Sequence, residues 1–223
     1  MLLSISGVLP SEDLALIRGL LDGVTWRDGR ETAGLAARKV KQNVQADLTS
    51  ELGQKIEHRL SNALQTHPVL KAAAQPVRFS KMIVSKTEAG GGYGYHIDNA
   101  FIGNGNRTIR TDMSFTLFLS DPGDYGGGEL VIEHAGQTHK MKTRAGDVVL
   151  YPSTSVHKVS DVTSGSRIVC VGWIESRIKR QDDREFLFDL INLKAELAGE
   201  FDARSPVCLT IDKLISNAQR RFN

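Results

Sequence analysis

Residues 113–119 read Met113-Ser114-Phe115-Thr116-Leu117-Phe118-Leu119, with Met113, Phe115, Leu117 and Leu119 on one face of an extended chain and Ser114 and Thr116 on the other. Successive side chains of a strand point to opposite faces, so a period of two marks a β-strand with an apolar side. Its surroundings have the same texture. Residues 77–86, 129–134, 137–142, 147–151, 157–162 and 167–176 all read as short strands. Gly90-Gly91-Gly92, Asp121-Pro122-Gly123, Gly126-Gly127-Gly128, Ala145-Gly146-Asp147 and Ser164-Gly165 punctuate them. About seven or eight short strands spaced this way predict a jelly roll, a double-stranded β-helix that manages its edges by rolling two sheets together. The expected class is mainly β with flanking helices.

The flanks carry the helices. Ser11 is placed to cap a helix that has Glu12 and Asp13 in its first turn, Leu14, Ile17 and Leu21 on one face, and Gly23 at its end. Leu48, Leu52, Ile56, Leu60 and Leu64 recur at every fourth position over residues 47–66, an amphipathic helix suited to lie on a sheet. Residues 26–45 read as an irregular loop with a short strand over 38–44. Phe186, Leu190, Leu193 and Leu197 align a helix over 183–197, and a second, shorter one is expected over 211–220. That tail is expected either to cover the barrel or to make a homodimer contact. The predicted organisation is a support region at 1–77, the barrel at 78–176 and a helical extension at 177–223.

Composition narrows the function. The 223 residues carry 28 basic and 26 acidic side chains, a net charge of +2, which gives no reason to expect a nucleic-acid or membrane-surface partner. No run approaches the roughly 20 apolar residues of a membrane span. Cys170 and Cys208 lack knuckle or disulfide-framework spacing and are read as buried thiols of a cytoplasmic protein. A small-molecule or a protein or peptide substrate fits this balance.

The chemistry gathers around Tyr93-Gly94-Tyr95-His96-Ile97-Asp98. His96 and Asp98 stand two residues apart in an extended segment, so both can face one metal ion. On its own, His-x-Asp is a weak signal. A third ligand must come from a distant strand, and His134, His139 and His157 follow. His134 and His139 flank the Ala135-Gly136 turn of a predicted hairpin, where a solvated tip explains them. His157 follows the strand and turn over 147–152, which deliver it to the start of the next strand. Two imidazoles and a carboxylate leave three metal positions open, the arrangement of non-haem Fe(II) oxygenases.

The segments Tyr93 through Ala100, Arg110 through Ser120, Gly127-Gly128-Glu129-Leu130, Ala145-Gly146-Asp147 and His157 through Arg167 resemble the Fe(II)/2-oxoglutarate dioxygenases. Within them the chain is similar to the bacterial PKHD-type hydroxylases related to prolyl and lysyl hydroxylases. That resemblance implies that His96, Asp98 and His157 bind iron and that Arg167 pairs with the distal carboxylate of 2-oxoglutarate. It also implies Tyr93 as a hydrogen-bonding partner of the cosubstrate, L-ascorbate as an auxiliary reductant, and hydroxylation with release of succinate and carbon dioxide. No catalytic side chain beyond the metal centre is expected. A guanidinium suits Arg167 to its role because it stays charged and grips a carboxylate through two bonds; a surface arginine is the competing reading. If Thr163-Ser164-Gly165 forms a three-residue hairpin with Gly165 left-handed, Arg167 pairs with Asp161 and shares the face of His157. Arg110 and Asp112 are expected to pair on the surface, and Trp173 to pack inside the barrel. Two other functions remain open. Gly146-x5-Pro152-x4-His157 also suits a cupin-type metalloenzyme that makes no use of 2-oxoglutarate, and a non-enzymatic iron-responsive binding module would keep the metal without turnover.

Overall fold

The computed structural model describes residues 1–32 and 41–223. The chain runs from β1 (Leu3–Ile5) through α1 (Ser11–Leu21), β2 (Trp26–Asp28), β3 (Val44–Ala46), α2 (Glu51–Thr66) and α3 (Pro68–Ala74) into the strand-rich block. That block holds β4 (Pro76–Phe79), β5 (Ile83–Glu88), β6 (Tyr93–His96), β7 (Phe101–Ile102), β8 (Ile109–Arg110), β9 (Met113–Phe118) and β10 (Tyr125–Gly127). It continues with β11 (Leu130–His134), β12 (Gln137–Met141), β13 (Val148–Pro152), β14 (His157–Val159) and β15 (Val162–Ser176). Two helices follow, α4 (Gln181–Leu197) and α5 (Pro206–Phe222).

The strands form two facing antiparallel sheets and a separate β7–β8 ribbon, with flanking helices, the expected jelly roll. The major sheet runs β1-β13-β9-β15-β5-β3-β2, with β10 and β4 pairing the two ends of β15; the minor sheet runs β12-β11-β14-β6. Strand parity splits the apolar residues into two cores. Met113, Phe115, Leu117, Val148, Leu150 and Cys170 point away from the barrel and pack under Ile17, Ile56, Leu60, Leu64 and Leu70 of the first three helices. Phe118, Leu130, Ile132, Val149, Tyr151 and Val169 point between the sheets. The regular i, i+4 spacing on α2 is therefore matched to a flat sheet face, as predicted. Cys170 and Cys208 are buried free thiols.

Several local expectations need correction. α1 starts at Ser11 itself, with Pro10 in the cap position and no side-chain cap bond, whereas Ser50 caps α2 by accepting from the Gly53 amide. Residues 77–86 are not one strand. β4 and β5 both pair with β15, at Phe79↔Ile174 and Ile83↔Val171, so four steps along one chain match three along the other. The extra residue is a bulge. There the Ser80 hydroxyl accepts from the Trp173 amide. The loop expected over 26–45 instead contributes β2 and β3 to the sheet edge; of the strand expected over 38–44, residues 38–40 lie outside the described residues, Lys41 makes an isolated bridge to Tyr93 and Val44 opens β3. α5 is longer than anticipated, starting at Pro206 with the Ser205 hydroxyl accepting from the Cys208 amide. Arg110 and Asp112 do pair, through two bonds of 2.7 and 2.8 Å. The Asp112 side chain is nevertheless only 7% exposed, and its carboxylate also accepts from the Ser176 amide.

No hairpin forms at 163–165. β14 ends at Val159, the chain crosses from the minor to the major sheet, and β15 begins at Val162. Gly165 is left-handed at φ 69°, but it faces Tyr125 of β10, and Arg167 has Thr87 rather than Asp161 as its partner.

Candidate metal centre

β6 and β14 are neighbours in the minor sheet, and His96 and His157 are register partners across them. Their rings lie 4.2 Å apart between centroids. Asp98 stands just past the end of β6 and brings its Oδ2 to 3.9 Å from His157 Nε2. One ligand atom from each of His96, Asp98 and His157 lies within 4.8 Å of the other two, the only such cluster among the described residues. Both imidazoles are oriented by the backbone: His96 Nδ1 meets the Gly94 carbonyl at 2.8 Å and His157 Nδ1 meets that of Ser155 at 3.0 Å. A carbonyl only accepts, so each Nδ1 carries the proton and each Nε2 keeps a free lone pair. This is the tautomer a metal requires. Burial, and to a lesser extent the neighbouring His157, pushes His96 down to about 4, so it stays neutral near pH 7.

Arg167 occupies the barrel interior with the parity of Val169. It is 3% exposed, its guanidinium carbon sits 5.5 Å from the centroid of the Phe118 ring, and its Nε has no hydrogen-bond partner. It makes no ion pair with any described residue. Burial without a carboxylate draws its pKa below the usual arginine range, and the nearby Tyr125 and Tyr151 hydroxyls only partly oppose that. A buried, unpaired cation is costly unless an anion joins it. The donor set and this cation together fit an iron centre with a bound dicarboxylate.

Tyr93 stacks on His96, ring centroids 3.7 Å apart and planes 21° apart. Burial, and secondarily Asp98, raises its phenol to about 12, so it remains a proton donor. The site opens into a cavity of about 1550 Å³, lined among others by Tyr93, His96, Asp98, His157, Arg167 and Trp173. The indole Nε1 of Trp173 is buried without a partner. His134 and His139 stay apart from this site, across the tight turn at Ala135 and Gly136.

Sequence reading missed a buried hydroxyl pair. Ser114 donates to Asp98 Oδ2 at 2.6 Å, and its Oγ lies 2.7 Å from that of Ser153. The alternation of residues 113–119 had already turned Ser114 away from the helices. That its other face is equally buried could not be seen from one strand.

Comparisons with known proteins agree with this geometry. A family model described as the 2OG-Fe(II) oxygenase superfamily matches residues 78–175. A PKHD-type hydroxylase of Hyphomonas neptunium is 47% identical over 98% of both chains, and one of Synechococcus elongatus is 40% identical over the full length of both. Among solved structures, a Trichoplax adhaerens prolyl hydroxylase in complex with a peptide fragment aligns with TM-score 0.59 and 15% identity, over 78% of this chain and 83% of its own. HygX of Streptomyces hygroscopicus, with nickel, 2-oxoglutarate and hygromycin B bound, aligns with TM-score 0.55 and 14% identity, over 79% and 83%. None of these supports a cupin enzyme or a non-enzymatic module. The chain belongs to the PKHD-type hydroxylases, and it is a 2-oxoglutarate-dependent enzyme of the 2OG-Fe(II) oxygenase superfamily.

Proposed function

We propose that the protein hydroxylates a C–H group of its substrate while 2-oxoglutarate is converted to succinate and carbon dioxide, with His96, Asp98 and His157 as the iron ligands and Arg167 as the anchor of the cosubstrate. The observation that carries this reading is a juxtaposition: three ligand atoms within 4.8 Å of one another, and a buried arginine without an anion lining the same cavity. When bound, Fe(II) with 2-oxoglutarate would activate dioxygen, the oxidant of the reaction, one oxygen atom ending in succinate and the other in the new hydroxyl group. The chain's own residues hold and orient. The two Nε2 lone pairs and the Asp98 carboxylate would hold the metal, and a three-ligand protein set would leave positions for the cosubstrate. Arg167 neutralises the distal carboxylate and fixes the long axis of the diacid. Phe118 and Tyr151 keep water from that ion pair. Tyr93, protonated and facing the cavity, donates a hydrogen bond to the cosubstrate. L-ascorbate serves as the reductant that returns oxidised iron to Fe(II), and the working compartment is the cytoplasm.

Succinate formation from 2-oxoglutarate, measured with Fe(II) in wild type and Arg167→Ala, tests the reading. Wild type is expected to form succinate. Arg167→Ala is expected to bind metal normally while its KM for 2-oxoglutarate rises by roughly two orders of magnitude, the loss expected for a charge-assisted bidentate pair worth about 3 kcal/mol. An Arg167→Ala variant with unchanged KM would remove Arg167 from this role.

A further inference from the structure

Asp98 lies beyond the last ladder residue of β6, so strand pairing does not hold its backbone as it holds that of His96. Something else must orient its carboxylate. Ser114, the second residue of β9, donates to Asp98 Oδ2 at 2.6 Å. Ser153, just past the end of β13, lies 2.7 Å from the Ser114 hydroxyl. The two serines are 2% and 3% exposed. A carboxylate has no proton to give, so the direction of the chain is determined: Ser114 spends its single proton on Asp98, and its oxygen must accept from Ser153.

Both ends of this relay are braced. The Ser153 amide donates to the Asp112 carbonyl at 3.3 Å, and the Asp112 carboxylate is gripped by Arg110 and by the Ser176 amide. On the other side, the Thr111 hydroxyl donates to the Asn99 carbonyl at 2.6 Å, and the Thr111 amide to that of Ala100 at 3.0 Å. The segment immediately after Asp98 is thereby tied to the stretch that leads into β9.

We propose that Ser114 and Ser153 are positioning residues that set the orientation in which Asp98 presents its carboxylate to the metal. The inference rests on the reading of Asp98 as a ligand. Hydrogen-bonding partners that orient a ligand typically govern metal affinity by one to two orders of magnitude. Phe118, Val149 and Val169 pack together in the apolar part of the interior, whereas Ser114 lies against the Asp98 carboxylate, so the serine pair belongs with the donor set and not with that core.

Mn(II) binding without cosubstrate, followed by electron paramagnetic resonance on the full chain, separates the possibilities when wild type, Asp98→Ala, Ser114→Ala and Ser153→Ala are compared. Circular dichroism and thermal melting on the same samples report folding. The expected pattern is loss of binding in Asp98→Ala, a 10–100-fold weaker Kd in Ser114→Ala, and a smaller, roughly severalfold weakening in Ser153→Ala, which leaves the Ser114 bond in place but free to rotate. Normal binding in both serine variants, with Asp98→Ala inactive in binding, would overturn the relay and leave Asp98 as a ligand. Normal binding in Asp98→Ala would overturn the ligand reading and the relay with it. A lowered melting temperature without any change in Kd would mean that the pair serves stability alone and would also refute the proposal. If Ser114→Ala fails to fold, Ser153→Ala decides: weakened Mn(II) binding supports the relay, and unchanged binding refutes it.

Discussion

His157 stands directly across the β6–β14 pair from His96, and each ring is fixed by a carbonyl two residues before it in its own chain. The two imidazoles are thus held before any metal arrives, which limits the rearrangement that binding requires. His157→Ala should weaken Mn(II) or Fe(II) binding by more than about 100-fold, beyond the range typical of contacts that only orient a ligand. At metal concentrations about 100 times Kd, the wild type should gain about 2.7 kcal/mol of stability. A melting curve of His157→Ala that still rises with added metal would contradict the assignment.

Gly165 sits at φ 69°, and a Cβ there would come within 2.1 Å of the Asp124 carbonyl oxygen. Gly165→Ala combines left-handed strain with a backbone clash that β10 must move to relieve. The expected cost is about 2–3 kcal/mol in urea denaturation. Because Arg167 lies two residues further along β15, the surviving fold should also show a raised KM for 2-oxoglutarate. An unchanged midpoint would show that β10 yields freely.

Acid should destabilise the metal-free protein through His96. Its pKa is about 4 in the fold against an ordinary 6.5. The unfolded chain therefore binds the extra proton first, and stability falls as pH drops from about 6.5 through about 4. His96→Gln should flatten that part of the stability–pH curve. A wild-type curve that is level across this window would contradict the direction of the shift.

Leu60 is fully buried under the major sheet, in the core that lies on the opposite side of the sheet from the site. Leu60→Ala should lose about 2–5 kcal/mol. The KM for 2-oxoglutarate of the folded fraction should not change. A shifted KM would reveal coupling between the two cores across the major sheet.

Much of this architecture was legible in the order of the residues. The alternation from Met113 to Leu119 announced a strand, the four-residue repeat of Leu48, Leu52, Ile56, Leu60 and Leu64 announced a helix on a sheet, and His96-x-Asp98 announced two donors on one face. What failed was what depends on pairing. The hairpin expected at Gly165 assumed that neighbours in sequence are neighbours in the sheet, whereas the chain changes sheets between Val159 and Val162. Arg167 still points inward, because its side is set by parity along β15 against β5 and β9.

By itself, the sequence determined period and donor type: which segments extend, which coil, and which side chains are able to bind a metal or a carboxylate. These are properties of a few consecutive residues, governed by local sterics and by the chemistry of each side chain. Only the tertiary structure decided that His157 stands directly across the β6–β14 pair from His96, that Arg167 is buried without an anion, and that Ser114 and Ser153 close on Asp98. Those outcomes depend on strands far apart in the chain finding one register, and a one-residue slip in any of them would turn the same side chains to the opposite face.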